Sequence, residues 1–145
     1  MRNYHDEIKY PNGNYYIGET NNKLPDGLGC LYDKDRRLIY EGSWKKGEFS
    51  GQGTYYNLGG EKYEGEWKNG KRCGQGRMQY VNGDIYIGNF KDNQRCGEGL
   101  LLYKTGESYS GNFKNDLPNG IGSFIRSNGE EKKGFWKDGK LIIGK

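Results

Sequence analysis

The chain has 145 residues, of which 26 are glycine and 13 are tyrosine, and its formal net charge is +4. Its hydrophobic content of 32% is too low for a thick globular core, while its many aromatic rings argue against intrinsic disorder. Acidic residues are interspersed among the basic ones, so the sequence lacks the concentrated basic patch typical of nucleic-acid-binding proteins, and no nucleic acid partner is expected.

The N-terminal segment, MRNYHDEIKY, is charged and has no apolar stretch of the kind that a secretory signal contains. No run in the chain approaches the ~18 apolar residues that a membrane span requires. Three cysteines and the absence of an Asn-X-Ser/Thr sequon agree with a reducing compartment. We therefore expect a soluble, cytoplasmic protein whose residues 4–15 form half of a hairpin, with His5 as a solvated surface residue.

The stretch YEGEWKNGKRCGQG at 63–76 recurs along the chain as YEGSWKKGEFSGQG, YIGNFKDNQRCGEG and YSGNFKNDLPNGIG. The tyrosines that open these copies are spaced by 23 residues, and a degenerate copy opens at Tyr16, with one extra residue that we place in the loop DKDRR. We therefore predict a single domain over 1–145. Its parts are a half unit 4–15, the repeats 16–39, 40–62, 63–85, 86–108 and 109–131, and a terminal half repeat 132–145.

Glycine recurs at four positions of the repeat, and these rows hold 21 of the 26 glycines. The first row is Gly18, Gly42, Gly65, Gly88, Gly111 and Gly134, and the second is Gly27, Gly51, Gly74, Gly97 and Gly120. The third is Gly29, Gly53, Gly76, Gly99 and Gly122, and the fourth is Gly13, Gly60, Gly83, Gly106 and Gly129. Such regularity excludes a flexible linker, and no phosphate-loop motif is present. The glycines are interpreted as architecture.

Each repeat is predicted to form two short strands. Tyr63, Gly65 and Trp67 alternate with Glu64 and Glu66, which places two rings and a glycine on one face and the acids on the other. Because glycine inside a strand costs about 0.5–1 kcal/mol relative to alanine, its recurrence predicts that aromatic rings of neighbouring strands cover the bare backbone.

Two Asn-Gly turns connect these strands. KNG at 68–70 and VNG at 81–83 fall between the strand patterns. Asn-Gly readily takes positive φ and favours hairpins. The chain is therefore predicted to be an all-β solenoid of successive hairpins, in which each repeat contacts mainly its neighbours.

The repeat resembles the MORN (membrane occupation and recognition nexus) repeat, whose pattern is Tyr-x-Gly-x-Trp/Phe, then Gly-x-Gly, then an aromatic residue and Asx-Gly. The resemblance covers about residues 4–145, with departures at Thr20 and Lys132 in the terminal units. It implies an elongated, twisted and curved single-layer antiparallel sheet with one aromatic-lined concave face. It also implies a scaffold or adaptor of the cytoskeleton, of cilia and flagella or of membrane contacts. Fused enzymes of this family carry a separate catalytic domain, for which this chain has no room, so we expect no enzyme activity.

The aromatic rows are predicted to form both the structural layer and a protein-binding groove for a helical or extended segment of a partner, because a single-layer sheet cannot cover both of its faces. These residues are Tyr16, Tyr40, Trp44, Tyr63, Trp67, Tyr86, Phe90, Tyr109, Phe113 and Trp136.

The alternative is a peripheral membrane module in which a ladder of basic residues binds anionic phospholipids at about 1 kcal/mol per charge. The candidates are Lys45, Lys46, Lys68, Lys71, Arg72, Lys91, Arg95, Lys114 and Lys137. Asp92, Asp116 and Asp138 interrupt this ladder, which weakens the lipid hypothesis. The simpler explanation, which we favour, is that the lysines are solvated residues at the starts of turns.

No cofactor, metal or catalytic residue is expected. Cys73 and Cys96 occupy equivalent positions two strands apart, about 10 Å, which exceeds the ~7 Å limit between the Cα atoms of a disulfide. Cys30 with a distant histidine does not supply four converging ligands. The terminal strands leave unpaired edges, so a homodimer through them is a further hypothesis. Sedimentation velocity of the full chain against one ending at Gly139 distinguishes monomer from dimer.

Overall fold

The computed structural model describes residues 1–144, so the predicted half repeat 132–145 extends one residue beyond the described part. The chain divides into two compact units, unit 1 (Met1–Lys71) and unit 2 (Arg72–Lys145). The strands of unit 1 are β1 (Arg2–Lys9), β2 (Tyr15–Asn21), β3 (Leu24–Tyr32), β4 (Leu38–Lys45), β5 (Glu48–Tyr56) and β6 (Lys62–Lys68). The next strand, β7 (Lys71–Gln79), begins at the last residue of unit 1 and otherwise lies in unit 2. The other strands of unit 2 are β8 (Ile85–Lys91), β9 (Gln94–Leu102), β10 (Ser108–Lys114), β11 (Leu117–Ile125), β12 (Glu131–Lys137) and β13 (Lys140–Gly144).

Within each unit, every strand pairs antiparallel with the strand that follows it in the chain. The predicted all-β class of successive antiparallel hairpins is therefore confirmed. The predicted N-terminal half hairpin corresponds to β1, which pairs with β2. No helix long and apolar enough to cross a membrane occurs in residues 1–144.

Two-residue turns join the two strands of each repeat, and both of their residues have positive φ. The predicted turn at 68–70 is confirmed, with φ of 51° at Asn69 and 77° at Gly70. Asn115 and Asp116 form an equivalent turn with φ of 51° and 71°. These values are those of a type I′ turn, whose twist matches that of antiparallel strands.

Three-residue loops connect one repeat to the next, and the predicted turn at 81–83 is confirmed as one of them. The backbone N–H of Tyr80 donates to the carbonyl of Asp84 at 2.9 Å, so residues 81–83 lie between the paired ends of the loop, one residue more than in the two-residue turns. Gly83 has a φ of 98°, whereas Asn82 is not among the residues with positive φ. The Asn82 side chain instead accepts a hydrogen bond from the Asp84 N–H at 2.9 Å. Asn82 thus stabilises the loop through its side chain.

The extra residue of the first repeat lies in a strand and not in the loop DKDRR, contrary to the prediction. The Asp33 N–H donates to the Arg37 carbonyl at 2.9 Å, which is the same closure as in the other connecting loops. Tyr32 pairs with Leu38, but Leu31 pairs with Tyr40, so the surplus residue is a β-bulge in β4. The bulge absorbs the insertion while Tyr40 keeps the same face as the other tyrosines.

Candidate functional site

The ten aromatic residues predicted to line a groove are all buried. Tyr16, Tyr40, Tyr63 and Tyr86 have no exposed surface, and the exposed fraction of Trp136, the largest of the ten, is 7%. In each unit these ten residues lie on one side of the sheet, together with the residues that pair with them across the strands. Tyr40, for example, lies opposite Tyr55, and Tyr86 lies opposite Leu101. We call this side the aromatic face. These rings are the core of the fold.

Four buried tyrosines each cover a glycine of the third row in the adjacent strand. A Cβ atom added to Gly53 would lie 1.9 Å from the Tyr40 hydroxyl and 2.3 Å from its Cζ atom. The same contact occurs for the pairs Gly29–Tyr16, Gly99–Tyr86 and Gly122–Tyr109. The predicted covering of strand glycines by rings therefore holds for these four glycines of the third row.

The other glycine rows have different roles, so the prediction that all of them receive rings is too broad. In the first row, a Cβ atom on Gly42 would lie 2.4 Å from the Cα atom of Gly53, which means that the two backbones touch. In the second row, Gly51 has a φ of 79° next to a register shift between β4 and β5. That conformation, not a ring contact, favours glycine there.

The tyrosine hydroxyls are satisfied inside the layer. The hydroxyl of Tyr40 donates to the carbonyl of Ser43 at 2.8 Å, and that of Tyr86 donates to the carbonyl of Asn89 at 2.8 Å. Because burial disfavours the phenolate, the pKa values of Tyr40 and Tyr86 are raised well above the ordinary value of about 10. The tyrosines are therefore neutral donors that fix the strands.

The tryptophans tie each repeat to the preceding one. The indole Nε1 of Trp44 donates to the carbonyl of Gly29 at 3.0 Å, and that of Trp136 donates to the carbonyl of Gly122 at 3.0 Å. Each acceptor belongs to a third-row glycine. The aromatic face is consequently held by directed hydrogen bonds as well as by ring packing.

A further row on the aromatic face was missed by the sequence reasoning. It lies nine residues after the first residue of each repeat, and we call it the capping row: Pro25, Phe49, Arg72, Arg95, Pro118 and Leu141. Phe49 stacks on Tyr40 with ring centroids 3.8 Å apart. The guanidinium of Arg95 lies 5.4 Å from the ring centroid of Phe113 and 5.7 Å from that of Tyr86. The constant spacing was the available signal, but the varied residue types concealed it.

Some residues of the predicted basic ladder lie on the surface, and others pack against the aromatic rings. Its seven lysines are exposed, whereas Arg72 and Arg95 are half-buried in the capping row. The Arg95 guanidinium also donates to the Asp116 carbonyl. The freely accessible charge of the ladder is therefore carried by its lysines.

The capping row covaries with the aromatic residue of the following repeat. Trp44, Trp67 and Trp136 follow a proline or phenylalanine cap, whereas Phe90 and Phe113 follow an arginine cap. The guanidinium thus lies where the larger indole would need space. We expect Phe113→Trp to destabilise the protein by about 1–3 kcal/mol, because it overpacks the layer against Arg95.

Urea unfolding of a double-mutant cycle measures this coupling. The second change, Arg95→Phe, recreates the Phe49–Trp67 pair of unit 1, whose ring centroids lie 5.1 Å apart. The double variant should be more stable than the sum of the two single effects by at least about 1 kcal/mol. Strictly additive effects would show that the arginine and the tryptophan do not compete for space.

Hollows on the aromatic face are present in both units. In unit 2, a cavity of about 400 Å³ is lined by Tyr103, Phe124 and Trp136, with Arg126 and Lys132 at its rim. In unit 1, a cavity of about 510 Å³ is lined by residues that include Tyr10, Pro11, Leu31, Trp44 and Phe49. Half-buried residues beside the core rings therefore offer the accessible apolar surface of this face.

The other sheet face of unit 2 carries a larger groove, of about 710 Å³. Its walls include Ile87, Leu100 and Ile121, and the Ile121 side chain is 69% exposed. We call this side the opposite face. The sequence reasoning did not single it out, because its apolar residues do not recur at one position of every repeat.

The remaining titratable candidates do not converge. His5 is exposed on β1, and Cys30, Cys73 and Cys96 are half-buried free thiols. Among residues 1–144, no three His, Cys, Asp or Glu side chains are grouped closely enough to hold a metal ion.

Comparison with known proteins supports the interpretation of the repeat. The MORN repeat family model matches residues 40–57, 63–85, 86–108 and 109–131, which together make up more than half of the chain. MORN repeat-containing protein 3 of Xenopus laevis is 54% identical over 44 residues. That alignment covers 30% of this chain and 18% of the relative, so the matched part spans less than a fifth of the relative's length.

Proposed function

Because this chain belongs to the MORN repeat family, we propose that it is a non-enzymatic scaffold that binds a helical or extended segment of another protein on its aromatic face. The proposed setting is a cytoskeletal assembly or an assembly of a cilium or flagellum. The family match supports a role in protein or membrane interaction, and the hollows of the aromatic face favour a protein segment.

The aromatic cavity of unit 2 is the observation that carries this proposal. The buried Trp136 forms its floor, and the half-exposed Tyr103 and Phe124 form its walls. Tyrosine, tryptophan and phenylalanine supply large contact areas at low conformational entropy and are frequent in the centres of interfaces. Arg126 and Lys132 at the rim add charged groups that orient a partner.

Photo-crosslinking from this cavity tests the proposal. A benzophenone amino acid placed at exposed position 126 should capture a protein in cells, and mass spectrometry should locate the adducts within one short segment of it. The variant Tyr103→Ala, Lys132→Glu should lose the adduct, while the control Ile121→Ser on the opposite face should keep it. Circular dichroism confirms that both variants are folded. An adduct unaffected by the aromatic-face variant, or the absence of any adduct, would contradict the proposal.

Binding of anionic phospholipid is the second candidate, and one observation favours it. Lys45, Lys68, Lys91, Lys114 and Lys137 recur at the same position of successive repeats, and all are exposed. Such a column supplies about 1 kcal/mol per charge at an anionic membrane, and the attraction is screened by salt. Sedimentation with anionic vesicles at two salt concentrations is its test.

A further inference from the structure

The opposite face of unit 2 combines apolar side chains with unusually high exposure. Ile87 is 43% exposed, Phe135 is 48% exposed and Ile143 is 70% exposed. Ile121 lies directly opposite Phe135, and Phe135 lies directly opposite Ile143, so three strands present a continuous apolar row. A second pair, Ile87 opposite Leu100, lines the 710 Å³ groove at its other end. Contiguous exposed apolar surface of this kind marks an interaction site.

Backbone pairing restricts what can occupy this groove. The groove crosses strands β8 to β11, whose N–H and C=O groups already bond to their neighbouring strands. An occupant lying over the middle of these strands cannot extend the sheet, so it must satisfy its own backbone polar groups. A helix does so by its internal hydrogen bonds, whereas an isolated extended segment does not.

The net charge of unit 2 indicates whether an acidic or a basic partner is favoured. Residues 72–145 contain 12 Lys and Arg but only eight Asp and Glu, so unit 2 carries the whole net charge of +4. On the opposite face, the strands of unit 2 place the exposed Lys91, Lys114 and Lys137 toward the two-residue turns, and Lys133 lines the groove. Among the carboxylates, Glu98 lines the groove, and Glu131 accepts a hydrogen bond from the Ser123 hydroxyl at 2.6 Å. Asp92, Asp116 and Asp138 lie in the turns beside the lysines, and Asp116 is paired with Arg95. The balance favours an acidic partner.

We infer that the opposite face of unit 2 is a second docking surface, which binds an acidic amphipathic helix of a partner protein. Its apolar side packs on Ile87, Leu100, Ile121 and Phe135, and its carboxylates contact Lys91, Lys114 and Lys137. The surface is separate from the aromatic face, so the scaffold holds two partners on the two sides of one sheet. The inference stands or falls independently of the proposal for the aromatic face.

The groove sets the length of the helix. Its lining runs from Gln75 of β7 to Lys133 of β12, which is five steps between adjacent strands. At about 4.8 Å per step this distance is about 24 Å, and a helix rises by 1.5 Å per residue, so about 16 residues span the groove.

Fluorescence anisotropy with a designed peptide tests the inference on the full chain. The probe is a labelled helical peptide of about 16 residues, with leucines spaced to form one apolar face and glutamates elsewhere. Two peptides serve as controls: one has the same composition with the leucines scattered around the helix, and the other has lysine in place of glutamate. We expect the acidic amphipathic peptide to bind, and both control peptides to bind at least about tenfold more weakly.

Paired variants identify the surface. Lys114→Glu with Lys137→Glu, and separately Ile121→Ser with Phe135→Ser, should each weaken peptide binding by about tenfold. All four side chains are exposed, so the fold should survive, and circular dichroism checks this. The aromatic-face variant Tyr103→Ala, Lys132→Glu should bind the peptide as the wild type does.

Three results would overturn the inference: no binding of the acidic peptide, equal binding of either control peptide, or insensitivity to both opposite-face variants. Sedimentation with vesicles of phosphatidylserine and phosphatidylcholine tests whether the lysines bind lipid instead. If the chain sediments with these vesicles through Lys114 and Lys137 but does not bind the peptide, the lysines belong to a lipid surface and the inference fails.

Discussion

Replacing Gly53 by alanine is expected to destabilise the protein by about 3 kcal/mol, the upper end of the usual cost of overpacking a core. The added Cβ atom would lie 1.9 Å from the Tyr40 hydroxyl. The ring cannot retreat, because Tyr40 has no exposed surface and Phe49 stacks on it at 3.8 Å. Urea unfolding followed by circular dichroism measures the change in the free energy of unfolding.

Two control substitutions distinguish the contact with the Tyr40 ring from a general cost of replacing glycine by alanine. At Gly60, no atom lies within 4 Å of an added Cβ, so Gly60→Ala should cost only the ~1–2 kcal/mol of its left-handed backbone, with a φ of 101°. In a Tyr40→Leu background, the ring tip that meets the new methyl group is gone. Gly53→Ala should then cost less than 1 kcal/mol, roughly the ordinary scale of a strand substitution. A cost that persists unchanged in that background would refute the ring contact.

The contact between Tyr40 and Gly53 also shows what the sequence could predict. The 23-residue spacing, the period of two and the recurrent glycine are properties of the linear chain, so they indicate strands, a shared face and rings over bare backbone. The type I′ turn at Asn69 and Gly70 was predictable for the same reason, since its conformation depends on two adjacent residues.

Features that depend on space between strands could not be predicted in this way. The capping row combines proline, phenylalanine, arginine and leucine, so its common position reflects the gap above the tyrosine rings and not a shared residue type. The surplus residue of the first repeat became a bulge at β4, because the closing hydrogen bond of the loop between Asp33 and Arg37 kept its geometry. The groove on the opposite face could be recognised only from the strand register, which places Ile121 opposite Phe135.

The two faces of the sheet separate the residues that stabilise the fold from those of the proposed docking surface on the opposite face. On the aromatic face, tyrosine hydroxyls and tryptophan nitrogens are bonded to backbone carbonyls, so this layer is fixed. The strand side chains on the opposite face contribute little burial in unit 2, where Ile121 and Ile143 are about 70% exposed. Substitutions there should alter binding at small cost to the fold, since exposed positions away from packed features usually change stability by less than about 0.5 kcal/mol.

Raising the pH above 10 is expected to unfold the protein cooperatively. Burial raises the pKa values of Tyr16, Tyr40 and Tyr86 in the folded state, whereas an unfolded tyrosine ionises near pH 10. Below pH 10 both states are protonated, so the full stability is present. Above pH 10 only the unfolded state loses these protons, so stability falls as the pH rises toward the folded pKa values.

The expected loss is about 1.4 kcal/mol per tyrosine for each pH unit, or about 4 kcal/mol per unit for the three. Against a typical stability of 5–15 kcal/mol, this slope places unfolding about one to four units above pH 10. Circular dichroism follows the fold, and phenolate absorbance follows the ionisation. The buried tyrosines should ionise together with the loss of structure.

Tyr40→Phe provides the control, because it removes one titrating group while keeping the ring. The variant should lose about 1 kcal/mol at neutral pH, since the Ser43 carbonyl no longer receives the hydroxyl. Its stability should then fall less steeply above pH 10, by up to about a third, because two of these three groups remain and burial also raises the pKa of Tyr109. Buried tyrosines that ionised while the sheet stayed intact, or an unchanged slope in the variant, would show that proton linkage through the aromatic layer does not govern the alkaline transition.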